Sequence, residues 1–335
     1  MSLTPGKLAG LKSVSDARGV IGAAAMDQRG SLKKSLSAAR GTDVTNHDLE
    51  VFKTLVTEVL TRHASAILLD PEFGLPASHH RNGKGLLLAY EKTGYDATTK
   101  GRLPDLLDIW SVRRLKEAGA DCIKILLYYT PFETTAVNDL KHAWVERIGD
   151  ECNYHDIPFF LEMVGYDVDG KGEKTLDYAK KKPEVVFGSM SEFGKARYSV
   201  DVLKVEVPIE MSFVEGTQAY KGEKAYTRAE ALQHFRDAES TTHKPFIYLS
   251  AGVSNPVFIE TLELAGESGT KFNGVLCGRA TWKEGINVYA QKGAQAFEDW
   301  LNDEGVKNIE NVNTALKAAS PWPLKFGAKT LAELG

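Results

Sequence analysis

Four charged residues interrupt runs that are otherwise apolar and rich in aliphatic side chains. Asp27 ends VIGAAAMD (20–27), Lys124 lies within DCIKILLYY (121–129), Glu162 within PFFLEMV (158–164) and Lys204 within VLKVEV (202–207). An unpaired charge in an apolar strand is costly, so residues of this kind are paired, functional or both. Lys204 offers the most specific chemistry. Side chains alternate along a strand, so Leu203 and Val205 share the face opposite Lys204. If those two pack on outer helices, the ammonium points inward. A lysine at its ordinary pKa of about 10.4 is a poor nucleophile at neutral pH. Desolvation or a second nearby cation frees such an amine to attack a carbonyl. Lys124 is the obvious second cation, and Glu162, on the strand between theirs, is a carboxylate able to move protons. The competing reading is a structural layer of buried ion pairs. Asp70 precedes Pro71 and reads more simply as a loop cap; Glu206 shares the face of Lys204 and is either its structural partner or a functional group.

Two further segments, LSAGVS (249–254) and LCGRAT (276–281), could hold an anion. Glycines at 252 and 278 let the backbone approach a ligand closely, and Arg279 adds a two-pronged donor suited to phosphate. Two ordinary turns with an exposed arginine are the alternative.

These residues need elements to position them. Eight short apolar runs read as strands: 20–27, 64–70, 85–90, 121–129, 158–164, 202–207, 245–253 and 272–279. Near-continuous apolar character is what parallel strands covered on both faces show. Amphipathic helical periodicity marks 46–62, capped by Thr45 or Asn46, then 103–118 up to Gly119, 138–153, 227–241, 256–268 and 284–302. Residues 173–198 read as a helix interrupted at Pro183, and 75–84 as an irregular loop with at most a short helix. Eight alternating units predict the α/β class and a (β/α)8 TIM barrel, a single domain over 1–305. A C-terminal extension, 306–335, lies outside the pattern, and Pro321 and Pro323 around Trp322 point to an ordered segment packed on the barrel or on a partner subunit. A doubly wound open sheet is the rival, weakened by the lack of GxGxxG after the first strand. In a barrel, the C-terminal ends of the strands carry the chemistry.

Composition narrows the function further. With 41 Lys plus Arg against 45 Asp plus Glu, the net charge is −4, which argues against a nucleic-acid partner. No run of about 20 apolar residues and no apolar leader segment is present, so neither a membrane span nor a signal peptide is expected. Three scattered cysteines, Cys122, Cys152 and Cys277, fit a reducing compartment, and a cytoplasmic location is expected. The eight histidines include no HxH or HxxxH pair, so neither a metal nor another cofactor is expected.

The segments AMDQRG, ILLDPEFG, LLLAYEKTGYD, LPDLLDIWSVRRLKEAGAD, KILLYY, ERIGDEC, IPFFLE, VDVLKVEVP, IYLSAGVS and GVLCGRATW resemble the class I tagatose-1,6-bisphosphate aldolase family from about residue 15 to 325. The resemblance implies a barrel that cleaves a ketohexose bisphosphate through a lysine Schiff base. It implies four catalytic residues: Lys204 as the Schiff-base residue, Glu162 as general acid/base, Asp27 of the DQR motif as a contact to substrate hydroxyls that assists proton transfer, and Lys124 as the cation that keeps the Lys204 pKa down and Glu162 charged. On this reading Ser250, Ala251, Gly252, Gly278 and Arg279 hold the C1 phosphate, and Gln28 and Arg29 contact substrate, Arg29 at the distal phosphate. The products would be dihydroxyacetone phosphate and glyceraldehyde 3-phosphate. Sulfosugar-phosphate aldolases are similar, so a 6-deoxy-6-sulfofructose 1-phosphate aldolase is the alternative enzyme. A sugar-phosphate-sensing regulator on the same fold is the alternative outside catalysis, although such a sensor needs neither nucleophile nor base. A small-molecule sugar phosphate is the expected partner, and a homo-oligomer, dimer or tetramer, the expected assembly. Departures from the family pattern at 129–139, 167–186 and in the tail leave the exact sugar open.

Overall fold

A computed structural model of the chain describes residues 3–92 and 100–334; positions 93–96 of the LLLAYEKTGYD segment lie outside them. Eight parallel strands follow one another around a closed barrel: β1 (Ile21–Met26), β2 (Ala66–Leu69), β3 (Gly85–Ala89), β4 (Cys122–Tyr128), β5 (Phe159–Val164), β6 (Val202–Val205), β7 (Phe246–Leu249) and β8 (Gly274–Cys277). Each falls inside one of the eight apolar runs. Pairing of Ile21 with Gly274 closes the barrel.

Helix α1 (Pro5–Ser13) precedes β1, and α2 (Gly30–Arg40) and α3 (Asn46–Leu60) follow it. Around the rest of the barrel come α4 (Leu75–Ser78), α5 (Val112–Glu117), α6 (Thr135–Tyr154), α7 (Leu176–Phe193), α8 (Arg228–Ser240), α9 (Asn255–Glu267), α10 (Arg279–Trp282), α11 (Gly285–Trp300) and α12 (Val306–Ala315). Thr45 starts α3 with a capping box: its side chain accepts from Asp48 N and the Asp48 carboxylate accepts from Thr45 N.

Strand alternation sorts the core into two regions. Leu203, Val205, Leu161 and Met163 face the outer helices. Val202, Phe160, Cys122, Ile247 and Leu276 fill the barrel interior, with Trp322 beneath them. Trp322 is fully buried and donates through Nε1 to Ser15 Oγ at 2.8 Å. Residues 306–334 thus begin as α12, continuous with the helical run from α11, and end under the barrel floor.

Three helical expectations need correction. Only Val112–Glu117 of 103–118 is α-helical. Pro104 disfavours helix at the residue before it, and Leu106 instead pairs antiparallel with Glu91. The helix starts anew where the Ser111 side chain accepts from Arg114 N. Helix α7 runs through Pro183 without interruption: the ring removes one backbone hydrogen bond, while Tyr178, Ala179, Val186 and Met190, buried on either side, hold the helix in place. Conversely, 284–302 contains a kink at Gly293, whose φ of 83° is not helical.

Candidate active site

Register sets the chemistry. Glu162 and Lys204 are direct partners across the β5–β6 ladder, while Lys124 is paired with Phe160, two residues nearer the barrel floor on the same face. The three side chains therefore stack inside the barrel. Glu162 bridges both cations: Oε2 lies 2.8 Å from Lys124 Nζ and Oε1 lies 2.8 Å from Lys204 Nζ. Lys124, with no exposed side-chain surface, also donates to Asp27 Oδ2 at 2.8 Å and to Glu91 Oε1 at 2.7 Å.

Burial alone would depress the Lys124 ammonium, but Asp27, Glu162 and Glu91 outweigh it and hold it well above the usual lysine value. The same contacts act on the carboxylates. Burial pushes Glu162 up, yet Lys124 and Lys204 together bring it below its ordinary value. Asp27, also raised by burial, is held well below the carboxylate range by Lys124, with Lys204 and Lys53 further off. Glu91 goes the other way: burial prevails over Lys124 and Arg29 and leaves it raised. Lys124 is thus a fixed positive charge ringed by three carboxylates, one of which, Glu162, it shares with Lys204.

Asp27, Glu91, Glu162 and Lys204 floor a cavity of about 600 Å³ at the C-terminal ends of the strands, and Lys124 is buried behind this lining. Ser250, Ala251, Gly252, Gly278 and Arg279 form one wall of it. The turn after β7 is closed by Val253 N donating to Ser250 O at 3.0 Å. It places Ala251 (φ 48°) and Gly252 (φ 73°) in the left-handed region. The Arg279 guanidinium lies flat on Gly252, where a Cβ would come within 2.7 Å of Cζ. A Cβ at Gly278 would come within 2.7 Å of the Ala25 carbonyl oxygen. No carboxylate among the described residues pairs with Arg279, which is exposed at the cavity rim. Gln28 also lines the cavity, and its buried Oε1 lacks a hydrogen-bond partner among the described residues.

Arg29 does not join them. Its side chain is 2% exposed and turned away, bound to Glu72 Oε2 at 2.7 Å and to the Glu91 carbonyl. Its position one residue beyond Gln28 directs it behind the wall, where it holds the Glu91 carbonyl and does not line the cavity in which a distal phosphate was expected to meet it. Glu206 lines the cavity but is not the partner of Lys204: its carboxylate accepts from Gly165 N at 2.7 Å and faces Lys182 at 3.7 Å.

Two residues of this architecture have no place in the sequence reasoning above. Glu91 lies two residues beyond the end of β3, at the barrel end where functional groups cluster, and that position is its signal. Lys53 on α3 is fully buried and donates to Asp70, to the Met26 carbonyl at 2.6 Å and to the Gln28 carbonyl at 2.8 Å. It ties the ends of β1 and β2 together on either side of Asp27. Asp70 does cap its loop, accepting from Phe73 N at 2.8 Å, but it is also the counter-ion of Lys53. Asp70→Ala should therefore destabilise the protein by about 3–5 kcal/mol, the range for stranding a buried charge. A urea denaturation midpoint unchanged from wild type would contradict this role.

Among the described residues no group of three His, Cys, Asp or Glu side chains is placed to hold a metal ion, and no helix is long and apolar enough to cross a membrane.

The backbone has counterparts among solved structures. A fructose-bisphosphate aldolase from Plasmodium falciparum superposes with a TM-score of 0.68 over 96% of this chain and 97% of its own, at 14% identity, a likeness of fold. Sequence similarity is far closer elsewhere. The chain is 53% identical to tagatose 1,6-diphosphate aldolase 2 of Enterococcus faecalis over 97% of this chain and 98% of that protein. It is 51% identical to a tagatose 1,6-diphosphate aldolase of Staphylococcus epidermidis over 97% of this chain and 100% of that one. It is 50% identical to one of Listeria monocytogenes over 98% and 97%. Residues 21–284 match the family described as DeoC/LacD family aldolase, and with relatives this similar along nearly its whole length, the chain belongs to the DeoC/LacD family of aldolases.

Proposed function

We propose that this aldolase works through a Schiff base on Lys204 and cleaves D-tagatose 1,6-bisphosphate to dihydroxyacetone phosphate and glyceraldehyde 3-phosphate. The observation that carries the mechanism is the Glu162 carboxylate held 2.8 Å from both lysine ammonium groups at the cavity floor. At that separation Glu162 is within reach of the Lys204 proton. The names of relatives half identical in sequence support the substrate.

Glu162 takes a proton from Lys204, whose freed amine adds to the C2 ketone of the open-chain sugar. Loss of water, with Glu162 returning the proton to the departing oxygen, leaves an iminium. When the C3–C4 bond breaks, its electron pair moves to C3 and the iminium nitrogen becomes an enamine nitrogen. The C4 hydroxyl proton passes to Glu162 and the aldehyde departs. Protonation of the enamine at C3 and hydrolysis of the iminium release dihydroxyacetone phosphate and regenerate Lys204. Lys124 keeps Asp27 ionised and returns Glu162 to its charged form between proton transfers, Asp27 and Gln28 hydrogen-bond the sugar hydroxyls, and Ser250, Ala251, Gly252, Gly278 and Arg279 hold the C1 phosphate.

Arg279→Ala should raise KM for a phosphorylated ketose by about 10- to 100-fold, the loss expected for a charge-assisted pair. KM for the unphosphorylated sugar should change little. Equal losses for both would show that Arg279 supports the fold and does not read phosphate. Since the electron sink is the iminium nitrogen, cleavage should survive a strong chelator; loss of activity restored by zinc would contradict the covalent mechanism. Substrate identity is tested by kcat/KM for tagatose 1,6-bisphosphate, fructose 1,6-bisphosphate and a 6-sulfo ketose 1-phosphate. The first should be the best or equal-best substrate, because the two bisphosphates differ only at C4. A preference for the sulfonated sugar would overturn the assignment.

A further inference from the structure

A second cavity, of about 560 Å³, opens at the N-terminal end of the strands, remote from the mouth that contains Lys204. Asp201 and Pro245, the residues just before β6 and β7, line it, together with Lys7, Lys195, Lys244 and Lys325. Four lysines thus face one carboxylate in a chain whose net charge is −4.

The four are not equivalent. Lys7 is paired with Asp201 at 2.9 Å, and Lys195 with Glu192. Lys325 is 3.6 Å from Glu239, with its ammonium 5.6 Å from the centre of the Phe246 ring. Lys244 is half-buried, yet its ammonium has no ion-pair or hydrogen-bond partner among the described residues. Burial lowers the Lys244 ammonium below the usual lysine value, and Lys7 pushes the same way against Asp201. Withdrawing a cation from water without a counter-ion is unfavourable, and an anion entering the cavity would relieve it. Leu3, Pro245 and Phe326 give the same cavity an apolar wall.

We propose that this cavity is a binding site for a small organic anion, its oxyanion head group held by the ammonium groups of Lys244 and Lys325 and its apolar body lying against Pro245 and Phe326. Neither the Schiff-base chemistry nor the C1-phosphate wall uses any of these residues, so the site stands or falls separately from the reading of the Lys204 cavity.

The probe is para-fluorophenyl phosphate, followed by fluorine NMR so that each bound position gives its own resonance. The wild type should show a bound resonance whose apparent Kd rises at least tenfold in Lys244→Gln and in Lys325→Gln, as expected when a charge-assisted contact is lost. Both variants should keep aldol cleavage, which reports that they are folded. Inorganic phosphate should compete for this resonance at least tenfold more weakly than the probe, because it lacks the apolar body. If no bound resonance responds to either substitution, the site does not exist. If inorganic phosphate competes as well as the probe, the apolar wall is not part of it and the proposed ligand class is wrong.

Discussion

Lys204→Met is expected to lower aldol cleavage by about 10⁴-fold or more while the barrel remains folded, since a covalent catalyst stripped of its nucleophile retains only binding and electrostatic assistance. Methionine has nearly the length of lysine and no charge to bury. The group left behind is Glu162, which keeps Lys124 at 2.8 Å and so is not stranded. Removing one partner of a buried pair is costly when the other charge is stranded; here Glu162 keeps Lys124, so the fold should survive, and a melt separates lost chemistry from lost structure. A thermal melt within a few degrees of wild type, alongside vanished turnover, is the combination expected. Retained turnover would contradict the assignment outright.

Glu162→Gln should be the next most damaging change, lowering kcat by about 10²- to 10⁴-fold, the usual worth of a positioned acid/base. An amide preserves the shape but can neither take the proton from Lys204 nor return it to the departing oxygen. It also removes the negative charge from between two cations. Lys124 retains Asp27 at 2.8 Å and Glu91 at 2.7 Å, whereas Lys204 loses the carboxylate it faces. The effect should fall on kcat more than on KM, because the C1-phosphate wall is untouched. A change confined to KM would mark Glu162 as a substrate contact only.

The strands were legible because burial on both faces writes itself as uninterrupted aliphatic runs, and among the charges that break those runs Asp27, Glu162 and Lys204 line the cavity, with Lys124 paired to Asp27 and Glu162 behind it. Glu162 and Lys204, read as neighbours on consecutive strands, are in fact register partners. What escaped the reading has physical reasons. Lys53 lies at helical spacing from Leu49 and Val56 on the buried face of α3, and periodicity counts such a residue as a polar interruption. That two carbonyls and a carboxylate gather around its ammonium depends on how β1 and β2 end. Glu91 stands outside any apolar run, and its place beside Lys124 depends on the antiparallel pairing with Leu106, a contact made where the pattern predicts helix. Arg29 fails in the opposite sense: adjacency to Asp27 and Gln28 says nothing about direction, and its guanidinium faces Glu72 behind the wall. Local pattern thus reports which residues are buried, while partners brought in from loops and outer helices report what each buried charge is for.

The central claim is that a covalent bond forms between Lys204 and a ketone carbon. It is tested most directly by treating the wild-type protein with borohydride in the presence of dihydroxyacetone phosphate and mapping the reduced adduct by peptide mass. Reduction converts the iminium to a stable amine, so one added substrate moiety per chain is expected on Lys204 and none on Lys124, which does not line the cavity and holds its proton among Asp27, Glu91 and Glu162. An adduct on Lys124 would reverse the two lysines, and turnover without any adduct on either would contradict the covalent mechanism itself.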